Sequence, residues 1–193
     1  MKRFERRSRF LSARLSRYEV ELLTSLVRQL VELVSDGEPE GFQPTPAAAD
    51  PFEQLTKDLQ IDPDEPEISD DPVLRRLFPN AYPHDAAASS DFRRFTERGL
   101  KTKKVLEAQL VLDRLAATQD GVRRLQIPYE EAEAWLRTLT GVRLAVATRL
   151  GITDADSAEQ LAELSDDDPR AFMLSVYEWL GFAQETLIEA LSD

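Results

Sequence analysis

Apolar residues recur at steps of three and four through the last third of the chain, and that spacing admits only helices with one buried face. The pattern runs from Trp135 to Leu150 and again from Phe172 to Leu191. In the second segment the stripe is Met173, Val176, Leu180, Ala183, Leu187 and Leu191, widened by Phe172, Tyr177, Trp179 and Phe182. Helices this apolar must pack against other elements, so the expectation is a mainly α-helical, single-domain bundle of about five or six helices over residues 1–193. At 193 residues with 42% hydrophobic content the chain can build a core.

There is no cysteine, which excludes disulfides, thiolate nucleophiles and cysteine-based metal sites. Nowhere do eighteen apolar residues run together, and no signal-type apolar stretch follows the basic start Lys2-Arg3-Phe4-Glu5-Arg6-Arg7. A soluble cytoplasmic protein without a membrane partner is expected. The net charge of −12 opposes binding of the whole molecule to nucleic acid or an anionic membrane. The charge is segregated: residues 1–17 carry +6, residues 36–71 carry −11, residues 75–124 carry +5 and residues 130–193 carry −10. Two readings are open, blocks of opposite sign packing side by side within one molecule, or a dipolar surface that steers a partner.

Near the N-terminus Leu11, Ala13 and Leu15 alternate with Ser12 and Arg14, which predicts a half-buried strand and, with Lys2 to Glu5, a small β-hairpin. Ser16-Arg17-Tyr18-Glu19 matches a capping box, so a helix starts there and runs to Ser35 on Leu22, Leu23, Leu26, Val27, Leu30, Val31, Leu33 and Val34, with Asp36-Gly37 as its C-terminal cap. Residues 38–70 are proline-rich and acidic and are expected to form a partly mobile surface insertion, with a short docked helix on Phe52, Leu55 and Leu59. Asp71-Pro72 opens a brief helix that stops before Pro79, followed by a turn through His84.

Ser90 is placed as the cap of a long helix from about Asp91 to Thr118, with Phe92, Phe95, Leu106, Leu110 and Leu115 inward and Asp120-Gly121 ending it. Val122 to Ile127 reads as a strand that joins the hairpin. Pro128 takes the first position of the next helix, which Gly151 closes. Thr153 or Ser157 caps a short helix through Leu164, and Asp168-Pro169 opens the last one.

Three phrases carry a resemblance: Arg76-Leu77-Phe78-Pro79-Asn80-Ala81-Tyr82, Trp135-Leu136-Arg137-Thr138-Leu139 leading to Arg143 through Ile152, and Tyr177-Glu178-Trp179-Leu180 with Gln184-Glu185. Together they resemble an uncharacterised actinobacterial domain-of-unknown-function family, DUF number two thousand and seventeen, over nearly the whole chain outside 38–70. The chain departs from that pattern at Thr140-Gly141-Val142, where an Asn-Asp-type pair is expected before the Arg-Leu. The resemblance implies no established activity. It implies a regulatory or adaptor-like role, since members are often labelled as regulators and often encoded beside the adaptor of the Clp protease.

No reactive constellation stands out. His84 is the only histidine, and it reads as an exposed turn residue. Asp62, Asp64 and Glu65, like Asp154-Ala155-Asp156, lack the glycine and terminal glutamate of a calcium loop, and Asp166, Asp167 and Asp168 are explained by helix capping. No cofactor, metal or catalytic residue is assigned, and a non-enzymatic protein is expected. A basic face at Arg94, Arg98 and Lys101, with Arg93 and Lys104 alongside, is a candidate for phosphate binding. A helix-turn-helix between Arg143 and Leu164 is disfavoured, because its second helix carries Asp154, Asp156, Glu159 and Glu163 and no base. The stripe Phe172, Val176, Trp179 and Phe182 is the candidate surface for self-association or a protein partner, against the alternative that it is core. The most economical function is therefore protein interaction in a regulatory setting, with a tie to proteolysis as its narrowest form. The alternatives are a DNA-binding transcriptional regulator and an enzyme that uses carboxylates only.

Overall fold

The capping box at Ser16 forms as expected, and it sets where the N-terminal sheet ends and the helical body begins. In the computed structural model the Ser16 N–H donates to Glu19 Oε2 at 2.7 Å and the Glu19 N–H donates to Ser16 Oγ at 3.3 Å. The structure describes residues 1–35, 69–82, 84–165 and 167–192. The expected 38–70 insertion, its helix on Phe52, Leu55 and Leu59, and the Asp36-Gly37 cap lie outside the described residues, apart from Ser69 and Asp70.

Among the described residues the chain forms β1 (Glu5–Arg6), β2 (Phe10–Ala13), α1 (Arg17–Ser35), α2 (Pro72–Leu77), α3 (Ala86–Ala116), β3 (Leu125–Pro128), a 3-10 turn (Tyr129–Glu131), α4 (Ala132–Leu150), α5 (Ala155–Ala162) and α6 (Pro169–Ser192). The fold is mainly α, with a small antiparallel sheet of order β1-β2-β3. Leu11 pairs with Ile127 and Ala13 with Leu125, so the strand expected at Val122–Ile127 does join the hairpin, shifted toward Pro128. Leu11, Ala13 and Leu15 are buried as the alternation demands, but Ser12 is buried too. The reason is its position: β2 has a strand on each side, and the end of α6 packs on β1 and β2.

Helix α4 is the hub. It packs against α1, α2, α3 and α6, and Trp135, Leu139, Val142 and Val146 from it are all buried. Gly141 lets α1 come close, since a β-carbon there would stand 3.1 Å from Leu30 Cδ2. The pair of helices expected to hold the core does so, with Val176, Leu180 and Leu187 of α6 buried against it.

Three starts differ from expectation. Helix α3 begins at Ala86, capped by Asp85 accepting from the Ala88 N–H at 2.9 Å. Asp85 precedes three alanines, the strongest helix formers, so the helix starts one turn before Ser90. Pro128 ends β3 instead of opening α4. Asp154, with Ser157 at the third helical position, caps α5 through a capping box. As expected, Asp71 caps α2 by accepting from the Val73 N–H at 2.7 Å, and replacing it with alanine is expected to cost about 1 kcal/mol in thermal or urea unfolding.

Asp168 opens α6, accepting from the Arg170 N–H at 2.8 Å. The Arg170 side chain and that backbone bond together lower the Asp168 carboxyl from 3.8 to about 2. A carboxylate lowered in the folded state stabilises it fully above the unfolded value and loses that contribution as pH falls through the folded one. A carbon-13 titration of the Asp168 carboxyl is therefore expected to show its midpoint near pH 2, inside the window from 3.8 to about 2.

The long helix departs most from expectation. Of the residues expected to face inward only Leu115 does; Phe92, Phe95, Leu106 and Leu110 are exposed. The buried stripe is Val105, Ala108, Val111 and Leu115. These mostly small side chains let the C-terminal half of α3 pack on both α1 and α4.

Candidate functional site: two exposed helix faces

The buried stripe of α3 leaves a second apolar stripe on the opposite side of the same helix. At 100° per residue, Phe92, Phe95, Gly99, Lys103, Leu106 and Leu110 fall on the side away from Val105, Ala108, Val111 and Leu115. The four large side chains of this outer stripe are between 37% and 64% exposed. Nothing stands within 4 Å of where a Gly99 β-carbon would be, so this face is open at its centre. Single exposed apolar residues are ordinary, but an aligned row along one helix is the mark of an interaction surface.

One cation, Lys103, lies within the stripe, while Arg94 and Arg98 fall toward the other side of the helix. Arg94 and Arg98 are exposed, and the Arg94 guanidinium lies 5.3 Å from the centre of the Phe95 ring. Lys103 is exposed within the stripe itself. Arg94, Arg98 and Lys103 form no ion pair among the described residues. Lys101, grouped with Arg94 and Arg98 in the sequence, is half-buried and pairs with Glu97 at 3.2 Å, while Arg93 reaches Glu97 at 3.6 Å and also donates to Asn80. Lys104 is turned toward the Phe78 ring at 5.9 Å, and burial pushes its ammonium pKa down. Arg94, Arg98 and Lys101 share one side of the helix as their spacing requires, with Lys101 also held by Glu97, whereas Lys103 lies on the opposite side within the apolar stripe. At the edge of the stripe Phe92 and Leu100 open onto a groove of about 200 Å³, whose floor includes Leu77 and Phe78.

The C-terminal stripe divides in the same way. Val176 is 3% exposed and belongs to the core, and Trp179 is half-buried against it, so neither is available as an open docking residue. Phe172 at 53% and Phe182 at 37% are exposed, joined by Ile188. Between them Glu178 and Glu185 reach solvent without a basic partner among the described residues, whereas Glu189 pairs with Arg3 at 3.1 Å. The missed residues Phe92, Phe95, Leu106, Leu110 and Ile188 share one signal: each falls off the i, i+3, i+4 row that the buried residues of its helix occupy.

The three phrases that carried the resemblance meet at packing contacts. Arg143 of α4 lies 4.5 Å over the Tyr177 ring and across Gly181, and it donates to Gln184 Oε1 at 3.3 Å. Gln184 in turn donates to Thr140 Oγ1 at 2.8 Å. Arg76 donates to the Ile152 carbonyl at 2.8 Å, tying α2 to the end of α4. Of the charge blocks, Arg3 with Glu189 and Arg114 with Glu131 join a basic block to the acidic C-terminal one. Arg137 with Glu107 joins the same pair of blocks with the signs reversed. His84 is exposed in its turn. Among the described residues no three acidic or histidine side chains converge as a metal site, and no helix is long and apolar enough to cross a membrane.

Over 98% of its length the chain is 27% identical to proteins named oxidative stress regulator AosR in Mycobacterium tuberculosis and Mycobacterium bovis, covering 86% of each. It is 29% identical to a Mycobacterium leprae protein provisionally given that name, over 90% of this chain and 79% of the other. No solved structure matches. The family model described as Domain of unknown function (DUF2017) matches residues 1–191, so the chain belongs to that family.

Proposed function

We propose that this chain is a non-enzymatic regulatory protein of the cytoplasm that acts by docking a protein partner on the outer face of α3. The observation that carries the reading is the row Phe92, Phe95, Leu106 and Leu110, exposed opposite the helix's own buried stripe. Lys103, exposed within the row and in no ion pair among the described residues, favours an acidic helical segment that presents apolar side chains at steps of three and four. The name of the relatives supports a regulatory setting, and there the absence of cysteine has a consequence. With no thiol in the chain, an oxidative signal cannot reach it through a disulfide of its own, so it would respond through the partner it binds. A tie to regulated proteolysis is the narrower form of this reading and rests on the gene neighbourhood that the resemblance implies.

The probe is a labelled synthetic helix with leucines at that spacing and glutamates on its flanks, titrated with the protein and followed by fluorescence anisotropy. Binding is expected, weakening with salt, and falling at least about tenfold in the double variant Phe92→Gln, Phe95→Gln. The reading is overturned if the peptide does not bind, or if duplex DNA binds more tightly and depends on Arg94 and Arg98 but not on the phenylalanines.

A further inference from the structure

The basic N-terminal block is only partly matched by acids among the described residues. Of the seven basic side chains in residues 1–17, Arg3, Arg7 and Arg17 form ion pairs, and Lys2, Arg6, Arg9 and Arg14 form none among the described residues. The sheet gathers several of them onto one face. Leu11, Ala13, Leu125 and Ile127 are buried on its core side, so Glu5, Ser12 and Gln126, which stand opposite one another in the register, point the other way. Two positions beyond the Ser12–Gln126 pair the same alternation puts Arg14 and Arg124 side by side on that outer face, both exposed. Arg124 reaches Glu5 at 3.2 Å across β2, and Arg7 shares that carboxylate at 2.5 Å. Where the end of α3 meets β3, Arg114, Ala117, Arg123, Arg124 and Gln126 line a groove of about 400 Å³. Arg114 is held there by Glu131 and lies near Glu130 and Asp113, whereas Arg123 is exposed and forms no ion pair among the described residues. The loop that delivers Arg123 and Arg124 is strained: Gln119, Asp120 and Gly121 have φ of 52°, 55° and 82° in succession. It is fixed by the Arg123 N–H, which donates to the Thr118 carbonyl at 2.8 Å, and by the buried Thr118, whose Oγ1 accepts from the Gly121 N–H at 3.3 Å. Such a shape persists only where its surroundings impose it, and it gathers at binding sites.

We infer that the outer face of the sheet, centred on Arg14, Arg123 and Arg124, binds the phosphate backbone of duplex nucleic acid without reading its sequence. The proposal is independent of the reading of α3 as a docking face. Guanidinium forks take phosphate oxygens two at a time, and the cations at the centre of this face are all arginines. A protein partner would need an apolar anchor, but the apolar residues of the outer face, Phe10 and Pro128, are both half-buried. The same lack of an open aromatic ring disfavours a single strand, whose bases stack on such rings. The major groove admits a helix or a two-stranded ribbon, and this sheet has three strands. Its arginines therefore stay on the phosphates, which carry no sequence information.

The test is fluorescence anisotropy of a labelled DNA duplex titrated with the full chain, with circular dichroism to verify that each variant keeps its helix content. Binding is expected at about 50 mM salt for duplexes of unrelated sequence, with log K falling against log salt at a slope of about −3, as for about three neutralised phosphates. The double variant Arg14→Glu, Arg123→Glu is expected to lose at least about tenfold in affinity. The control is Arg94→Glu, Arg98→Glu, which changes the net charge by the same amount. Arg94 lies about 30 Å along α3 from Arg114, well beyond the screening length, so the control is expected to stay within about twofold of the natural protein. No binding at about 50 mM salt, or equal losses in the two variants, would overturn the inference. So would a glutamate-rich peptide of matched charge that binds more tightly than the duplex, which would make the face a site for an acidic protein segment. The variant Phe92→Gln, Phe95→Gln keeps every arginine of the sheet and is expected to bind DNA as the natural protein does. Failure on DNA and failure of the helical peptide to bind α3 are therefore separate results.

Discussion

Replacing Trp135 with alanine is expected to lower the stability of the protein by about 3–5 kcal/mol, as for other fully buried aromatic side chains. Trp135 is 1% exposed, stands on the hub helix α4, and is the largest of the fully buried side chains. Its removal leaves a void between helices that are held in place by other contacts and cannot collapse to fill it. A single domain has a total stability of about 5–15 kcal/mol, so the change takes a large share of it. In urea the unfolding midpoint is expected to fall by roughly 2 M. A fall of less than about 0.5 M would mean that the core around Trp135 is loosely filled and repacks.

The second large effect is expected at Gly121. This glycine has φ +82°, and a β-carbon there would stand 2.8 Å from the Leu15 carbonyl oxygen and 3.0 Å from the Arg17 nitrogen. Both neighbours are backbone, and they hold the entry to α1 next to the Ser16 capping box. Gly121→Ala therefore meets two costs, the left-handed conformation and a displaced main chain, together about 2–5 kcal/mol. Gly151 is the control, because it has φ +77° and nothing within 4 Å of its β-carbon position. Gly151→Ala meets only the first cost, about 1–2 kcal/mol. Urea unfolding of the two variants side by side measures the difference. Equal losses would show that the link between β2 and α1 yields freely.

The positions of the two faces were only half legible beforehand. For α3, side-chain size misleads: the larger residues Phe92, Phe95, Leu106 and Leu110 read as the buried row, yet the row that packs is Val105, Ala108, Val111 and Leu115. A helix with apolar residues on two opposite sides has no single period that names its inner face, and the choice falls to the neighbours it must fit between. In α6 the row itself was right, since Val176, Leu180 and Leu187 are all buried, while of the four residues offered as a surface Phe172 and Phe182 are exposed and Val176 is core. Phe172 and Phe182 lie on this helix but stay exposed, and no spacing along one chain reports where a neighbour's coverage ends. Lys101 shares a helical step with Arg94 and Arg98 and pairs with Glu97 one turn before it.

What local chemistry governs was determined by the chain alone. The capping box at Ser16 and Glu19, the proline starts at Asp71-Pro72 and Asp168-Pro169, the left-handed end at Gly151 and the alternation of Leu11, Ala13 and Leu15 each depend on residues within a few positions of one another. Which apolar rows stay open was decided by the tertiary structure. Burial is a property of two surfaces meeting, and among the described residues α3 is flanked by α1 and α4 on the side of its buried stripe, so Phe92 and Phe95 are left exposed.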